Sequence, residues 1–222
     1  MSKDDLSFDF LSPEDFNTRT EEIIPDAWKQ VQKISSFFSS IIKSSGPDTF
    51  APTSVVFNAN KDIVGVFTCR PFEGRDDLYQ ALSELLFFPV TIGSQLFIVA
   101  ADSNVKNPDT GDKLYDALNM TFVSPESCYI YTLPYTINED NDVIFQYENS
   151  NMSSVAKEDS NGELSAAGDM VELFFIFSHV ENRGPFTFDE VLAYYDDNQI
   201  TYEIVNRDNL HSNKGSRMIF QG

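Results

Sequence analysis

The sequence predicts a layered α/β or α+β domain, a mixed β-sheet with flanking helices, and three observations carry that prediction. From Pro25 to about Lys43, Trp28, Val31, Ile34, Phe38 and Ile41/Ile42 recur at three- and four-residue spacing, the period of a helix with one apolar face. Ser54–Asn58 and Ile63–Thr68 are β-rich runs flanking Ala59-Asn60-Lys61-Asp62, close enough to form an antiparallel hairpin. Gln95–Ala101 is continuously apolar rather than alternating, as in a central strand covered on both faces. Helices interleaved with buried strands pack as layers.

The other elements follow in chain order. Residues 1–22 read as an acidic arm in which Phe8, Phe10, Leu11 and Phe16 show no period; Ser12-Pro13-Glu14-Asp15 is a helix-start signal, and the arm is expected to order only on binding. One domain then spans 23–206. Its first helix starts at Pro25, a favourable first helical residue, and ends at Ser44-Ser45-Gly46-Pro47, with Gly as cap and Pro as breaker. Asp76 and Asp77 open a second helix whose Leu78, Ala81/Leu82, Leu85 and Leu86 form one stripe, with Pro89 as its stop. After the 95–101 strand comes a polar loop through Asn107-Pro108-Asp109-Thr110-Gly111, a short helix over 112–119, and strands near 121–123, 127–133 and 143–147. Residues 148–168 are polar and longer than an ordinary connection, an insertion. Met170–Phe177 reads as a strand, Thr187-x-x-Glu190 as a capping box for a helix to about Asp197, and Ile200–Val205 as the last strand before a tail over 207–222.

Charge narrows the function classes. The 222 residues hold 35 acids and 15 bases, a formal net charge of −20. Residues 27–101 hold six of each and are neutral, whereas 1–26 carry −6 and 138–172 carry −8. Nucleic-acid binding needs clustered Lys/Arg, and anionic membrane surfaces repel acids, so neither is an expected partner. The acidic N-terminus lacks the basic start and apolar run of a signal peptide, and no stretch approaches the roughly 18 apolar residues of a membrane helix. The expected location is cytoplasmic. Sixteen Asn, twenty Phe and a single Trp resemble phage or AT-rich marine usage.

Cys69, Cys128, His179 and His211 are mutually remote and form no zinc-ligand pair, and both Cys lie in strand-like runs where a thiol acts as a small buried hydrophobe. Asp102-Ser-Asn104-Val-Lys106-Asn107 starts like a calcium loop but puts Lys where an oxygen is needed and Asn where Gly turns the chain. Asn138-Glu-Asp140-Asn-Asp142 reads as a turn. The glycines are isolated, with no phosphate-binding loop. Neither a metal nor a cofactor is expected. The order hairpin 54–68, helix 76–88, strand 95–101, loop, helix 112–119, strands resembles, over about 70 residues, the JAB/MPN metalloprotease-like fold. In that family the loop after the central strand carries HxHPxG-type zinc ligands; Asp102–Gly111 has no His, so the resemblance implies a degenerate, metal-free relative.

Two function classes follow. The first is a non-enzymatic acidic interaction or structural protein that docks a protein partner through its acidic surface or through Phe8, Phe10, Leu11 and Phe16, where charge speeds encounter and Phe supplies affinity. Mimicry of nucleic acid by carboxylates is a narrower form of it. The alternative is a carboxylate-based hydrolase with Asp102, at the carboxyl end of the central strand, as its acid or base.

Overall fold

The structure is a computed structural model that describes residues 13–20, 26–58, 60–92, 94, 96–107, 110–124, 128–155 and 187–205. Its architecture is α+β, an eight-stranded antiparallel sheet with helices. The strands are β1 (Thr53–Phe57), β2 (Ile63–Thr68), β3 (Leu96–Lys106), β4 (Lys113–Val123), β5 (Cys128–Ile137), β6 (Val143–Phe145), β7 (Asn151–Val155) and β8 (Thr201–Ile204). Their hydrogen-bonded order is β6-β5-β4-β3-β1-β2-β8, with β7 also paired to β5. The helices are α1 (Pro13–Thr20), α2 (Ala27–Ser45), α3 (Gly74–Glu84), α4 (Phe87–Thr91) and α5 (Phe188–Asp197). By its internal contacts the chain divides into two compact units, Met1–Phe50, Ala100–Met120 and Tyr129–Ser153 in one, Ala51–Val99, Thr121–Cys128 and Ser154–Gly222 in the other.

In the first unit, α2 buries Val31, Ile34, Phe38 and Ile42, the stripe its spacing predicts. Gly46 ends it at φ +94, and its N–H donates to the Ile42 carbonyl at 2.8 Å. Aromatic rings fill this core: Phe38 meets Phe50 at 4.9 Å and Tyr135 at 5.0 Å, edge to face. α1 is a correction to the unstructured arm as far as it reaches, since Pro13–Thr20 is helical and Phe16 is fully buried.

In the second unit, β1 and β2 form the expected antiparallel hairpin, with Val55 opposite Val66, and β8 adds antiparallel to β2. α3 begins as predicted, but the helix does not run on to Pro89. It ends at Glu84, and α4 starts afresh at Phe87 with Pro89 inside its first turn, where a missing N–H costs nothing. α5 carries the full capping box: Thr187 Oγ1 accepts from the Glu190 N–H, and Glu190 Oε2 accepts from the Thr187 N–H at 2.7 Å. The core gathers Val56, Phe67, Leu85, Phe88, Phe97 and Tyr195. Tyr195 stitches it, its hydroxyl donating to the Glu84 carbonyl and accepting from the Phe88 N–H, both at 2.9 Å.

Three segments depart from expectation. The helix over 112–119 is instead the first part of β4, and the loop from Asp102 is instead the second half of β3. The turn between these strands is confined to a few residues, closed by Gly111 N–H donating to the Asn107 carbonyl at 2.8 Å. Of the insertion 148–168, Asn151–Val155 is β7; the residues from 156, like the strand expected at 170–177 and the tail 207–222, lie outside the described residues.

Candidate functional site

Asp102 stands inside β3, four residues before its end, so the strand-terminus argument does not apply to it. Its Oδ1 accepts a hydrogen bond from the Tyr135 hydroxyl of β5 at 2.7 Å. Partial burial raises the Asp102 carboxyl above its ordinary value; the Tyr135 bond opposes that, and the charges of Asp116 and Asp48 reinforce it. Burial, then the bond to Asp102, holds the Tyr135 phenol well above the tyrosine range. The pair is chemically a neutral donor clamped to a carboxylate. Asp116 is itself paired with Lys113 at 2.6 Å, and among the described residues no group of three His, Cys, Asp or Glu is placed to hold a metal ion.

Of the arm residues, only Phe16 is described. It is 0 % exposed, with edge-to-face contacts to Trp28 at 5.6 Å and Tyr131 at 5.0 Å, and the adjacent Asn17 Oδ1 accepts from the Trp28 N–H at 2.9 Å. Phe16 is therefore spent on its own unit. Phe8, Phe10 and Leu11, together with His179 and His211, lie outside the described residues.

Cys69 and Cys128 are buried and free, and burial pushes both thiols up to about 12, far from the thiolate a nucleophile needs. Beside Cys69 is a cluster that sequence reading missed. Arg70 Nε donates to Glu84 Oε2 at 2.9 Å, Nη2 to Asp77 Oδ1 at 2.7 Å and Nη1 to the Pro71 carbonyl at 2.9 Å, with Glu84 almost wholly buried. The Arg70 hydrogen bond, and then the Glu73 N–H, hold the Asp77 carboxyl below its usual range. The signal was present: Asp77 and Glu84 are seven apart on one helix face, with Arg70 and Arg75 just upstream. Both acids are saturated, so the cluster anchors α3 to the end of β2.

A surface groove of about 490 Å³ in the first unit has room for a ligand. One wall is the α2 stripe Ser35, Ser36, Ser39, Ser40 and Lys43, which share a face because they repeat at i, i+1, i+4, i+5 and i+8. The other is Asp142, Val143, Phe145 and Tyr147. Lys43 Nζ closes one end, bonded to Asp142 Oδ1 at 2.7 Å and to the Asp140 carbonyl at 2.8 Å. That bond holds the Asp142 carboxyl below its ordinary value. The turn Asn138–Asp142 is built as an Asx turn rather than a cation loop: Asn138 Oδ1 accepts from the Asp140 and Asp142 N–H groups at 3.0 and 2.8 Å.

Comparison with protein-family models, with curated proteins and with solved structures found no match.

Proposed function

We propose that the protein is a non-enzymatic, acidic protein-binding domain whose partner presents a basic surface. The observation that carries this is the distribution of exposed charge: among the described residues seventeen Asp and Glu are exposed against six Lys and Arg. On α5, Asp189, Glu190, Asp196 and Asp197 are exposed and the helix has no base, although two carboxylates at a helix C-terminus oppose the macrodipole. Asp189 and Glu190 serve the helix N-terminus, but folding gains nothing from the dipole at Asp196 and Asp197, a placement that suits a surface shaped by an encounter with positive charge. The groups a hydrolase would recruit are engaged internally instead, Asp102 by Tyr135 and both thiols by burial.

Affinity capture from the organism's own lysate tests the proposal, using the full chain and a variant with Asp189→Asn, Asp196→Asn, Asp197→Asn and Glu203→Gln. The reading expects a defined partner that wild type retains at low salt and releases at high salt, and that the variant retains less. Turnover of an esterase, phosphatase or glycosidase substrate that vanishes in Asp102→Asn would replace it with the hydrolase.

A further inference from the structure

We propose that the groove beside β6 receives an extended, basic segment of the partner protein as an added strand; this rests on the protein-binding reading and specifies where and how the partner docks. β6 ends the strand order among the described residues. Its pairing with β5 sets which main-chain groups it has to offer. The Asn138 N–H donates to the Asp142 carbonyl, the Gln146 N–H donates to the Pro134 carbonyl, and Ile144 stands opposite Thr136. In an antiparallel ladder such pairs alternate with residues whose N–H and C=O point the other way, so Val143 and Phe145 direct theirs to the outer edge. These two residues also line the groove.

A strand laid along that edge sets alternate side chains over the groove, because side chains along a strand alternate between faces. The opposing wall is of serine, too small to fill the space. Charge selects the occupant. Glu139, Asp140, Asp142 and Glu148 are exposed around the groove's β6 side, and the wall's one base, Lys43, is already bonded to Asp142. A second copy of a chain with net charge −20 is repelled from such a rim, whereas a Lys- or Arg-bearing strand is drawn to it.

The probe is an eight-residue peptide of alternating Lys and Val, titrated into the isotopically labelled full chain, beside the same peptide N-methylated at alternate residues, which keeps the charge and loses the strand edge. The expected result is at least tenfold slower hydrogen exchange at the Val143 and Phe145 amides with the first peptide, and at least tenfold weaker binding of the second. Ser39→Trp, which fills the groove, and Ser40→Arg, which adds bulk and like charge at an exposed position, each weaken the first peptide by a similar factor while the rest of the spectrum is unchanged. Equal binding of both peptides, with shifts spread over acids elsewhere, overturns the strand addition and leaves the protein-binding reading standing. No binding of either peptide at low salt overturns both.

Discussion

At the residue scale, single atoms that satisfy buried groups decide most of the stability. Tyr195→Phe removes one oxygen yet leaves the Glu84 carbonyl and the Phe88 N–H unpaired inside the core. The expected loss is about 1–3 kcal/mol, read in urea as a lower midpoint at unchanged slope; an unchanged midpoint would show that water replaces the hydroxyl. Gly65 in β2 is the backbone counterpart, since a Cβ there lies 2.6 Å from the Phe67 ring, which is itself fully buried and 4.3 Å from Phe88. Gly65→Ala forces that ring to move and is expected to cost about 1–3 kcal/mol in the same assay. Asp102 has the opposite sense to an ordinary acid. Its folded value is raised, so the native state holds the proton more tightly than the unfolded chain, and its contribution to stability is lost as pH rises through that value. A carboxyl titration followed by NMR should place Asp102 above its ordinary value and higher still in Tyr135→Phe, which removes the larger of the two hydrogen bonds favouring the anion and leaves that of the Ser103 backbone; a lower midpoint in the variant contradicts this assignment. The sequence singled out Asp102 as the first acid after an apolar run, but its partner is 33 positions away, and no local pattern reveals such a distance.

At the element scale, what could be read from the sequence was what neighbouring residues determine. The α5 capping box, the Gly46 cap and the β1–β2 hairpin are written within a few positions and stand in the structure as expected. β4 was misread because Leu114, Tyr115 and Leu118 also satisfy a helical period; pairing with β3 and β5, which only the folded sheet supplies, settles the competition in favour of strand. The same dependence explains why the groove was invisible: its walls come from α2 and from a strand a hundred residues later. α5 offers the sharpest test of a local signal. Thr187→Ala removes the Oγ1 that accepts from the Glu190 N–H and donates to Glu190 Oε2, keeps the backbone N–H bond to Glu190, and is expected to cost about 1 kcal/mol. Thr187→Asn, which restores a side-chain acceptor at the N-cap, should recover most of that loss; if both variants unfold at the same denaturant concentration, the cap contributes through packing and not through hydrogen bonding.

At the scale of the whole molecule, the charge of −20 sets stability against function. Among the described residues seventeen exposed acids outnumber six exposed bases, and like charges repel one another in the folded state more than in the expanded chain, so the fold carries a self-repulsion that a neutral surface would lack. Salt has two effects of opposite sign. It weakens favourable exposed pairs such as Lys43–Asp142, each worth little in water, and it screens the repulsion, which sums over many like charges. The excess of acids makes the second effect the larger. Melting temperature at neutral pH is therefore expected to rise as sodium chloride is raised to about 0.5 M, where the screening length is only a few ångströms. Mild acid should act in the same direction, as partial protonation reduces the repulsion. Below the ordinary carboxylate range the trend reverses, because Asp77, Asp142 and Glu190 have lowered folded values, and the stability they contribute is lost as pH falls through them. A melting temperature that falls steadily with salt would mean that specific ion pairs outweigh the surface excess. The acids would then be structural, and their use in drawing a basic partner would lose its physical support.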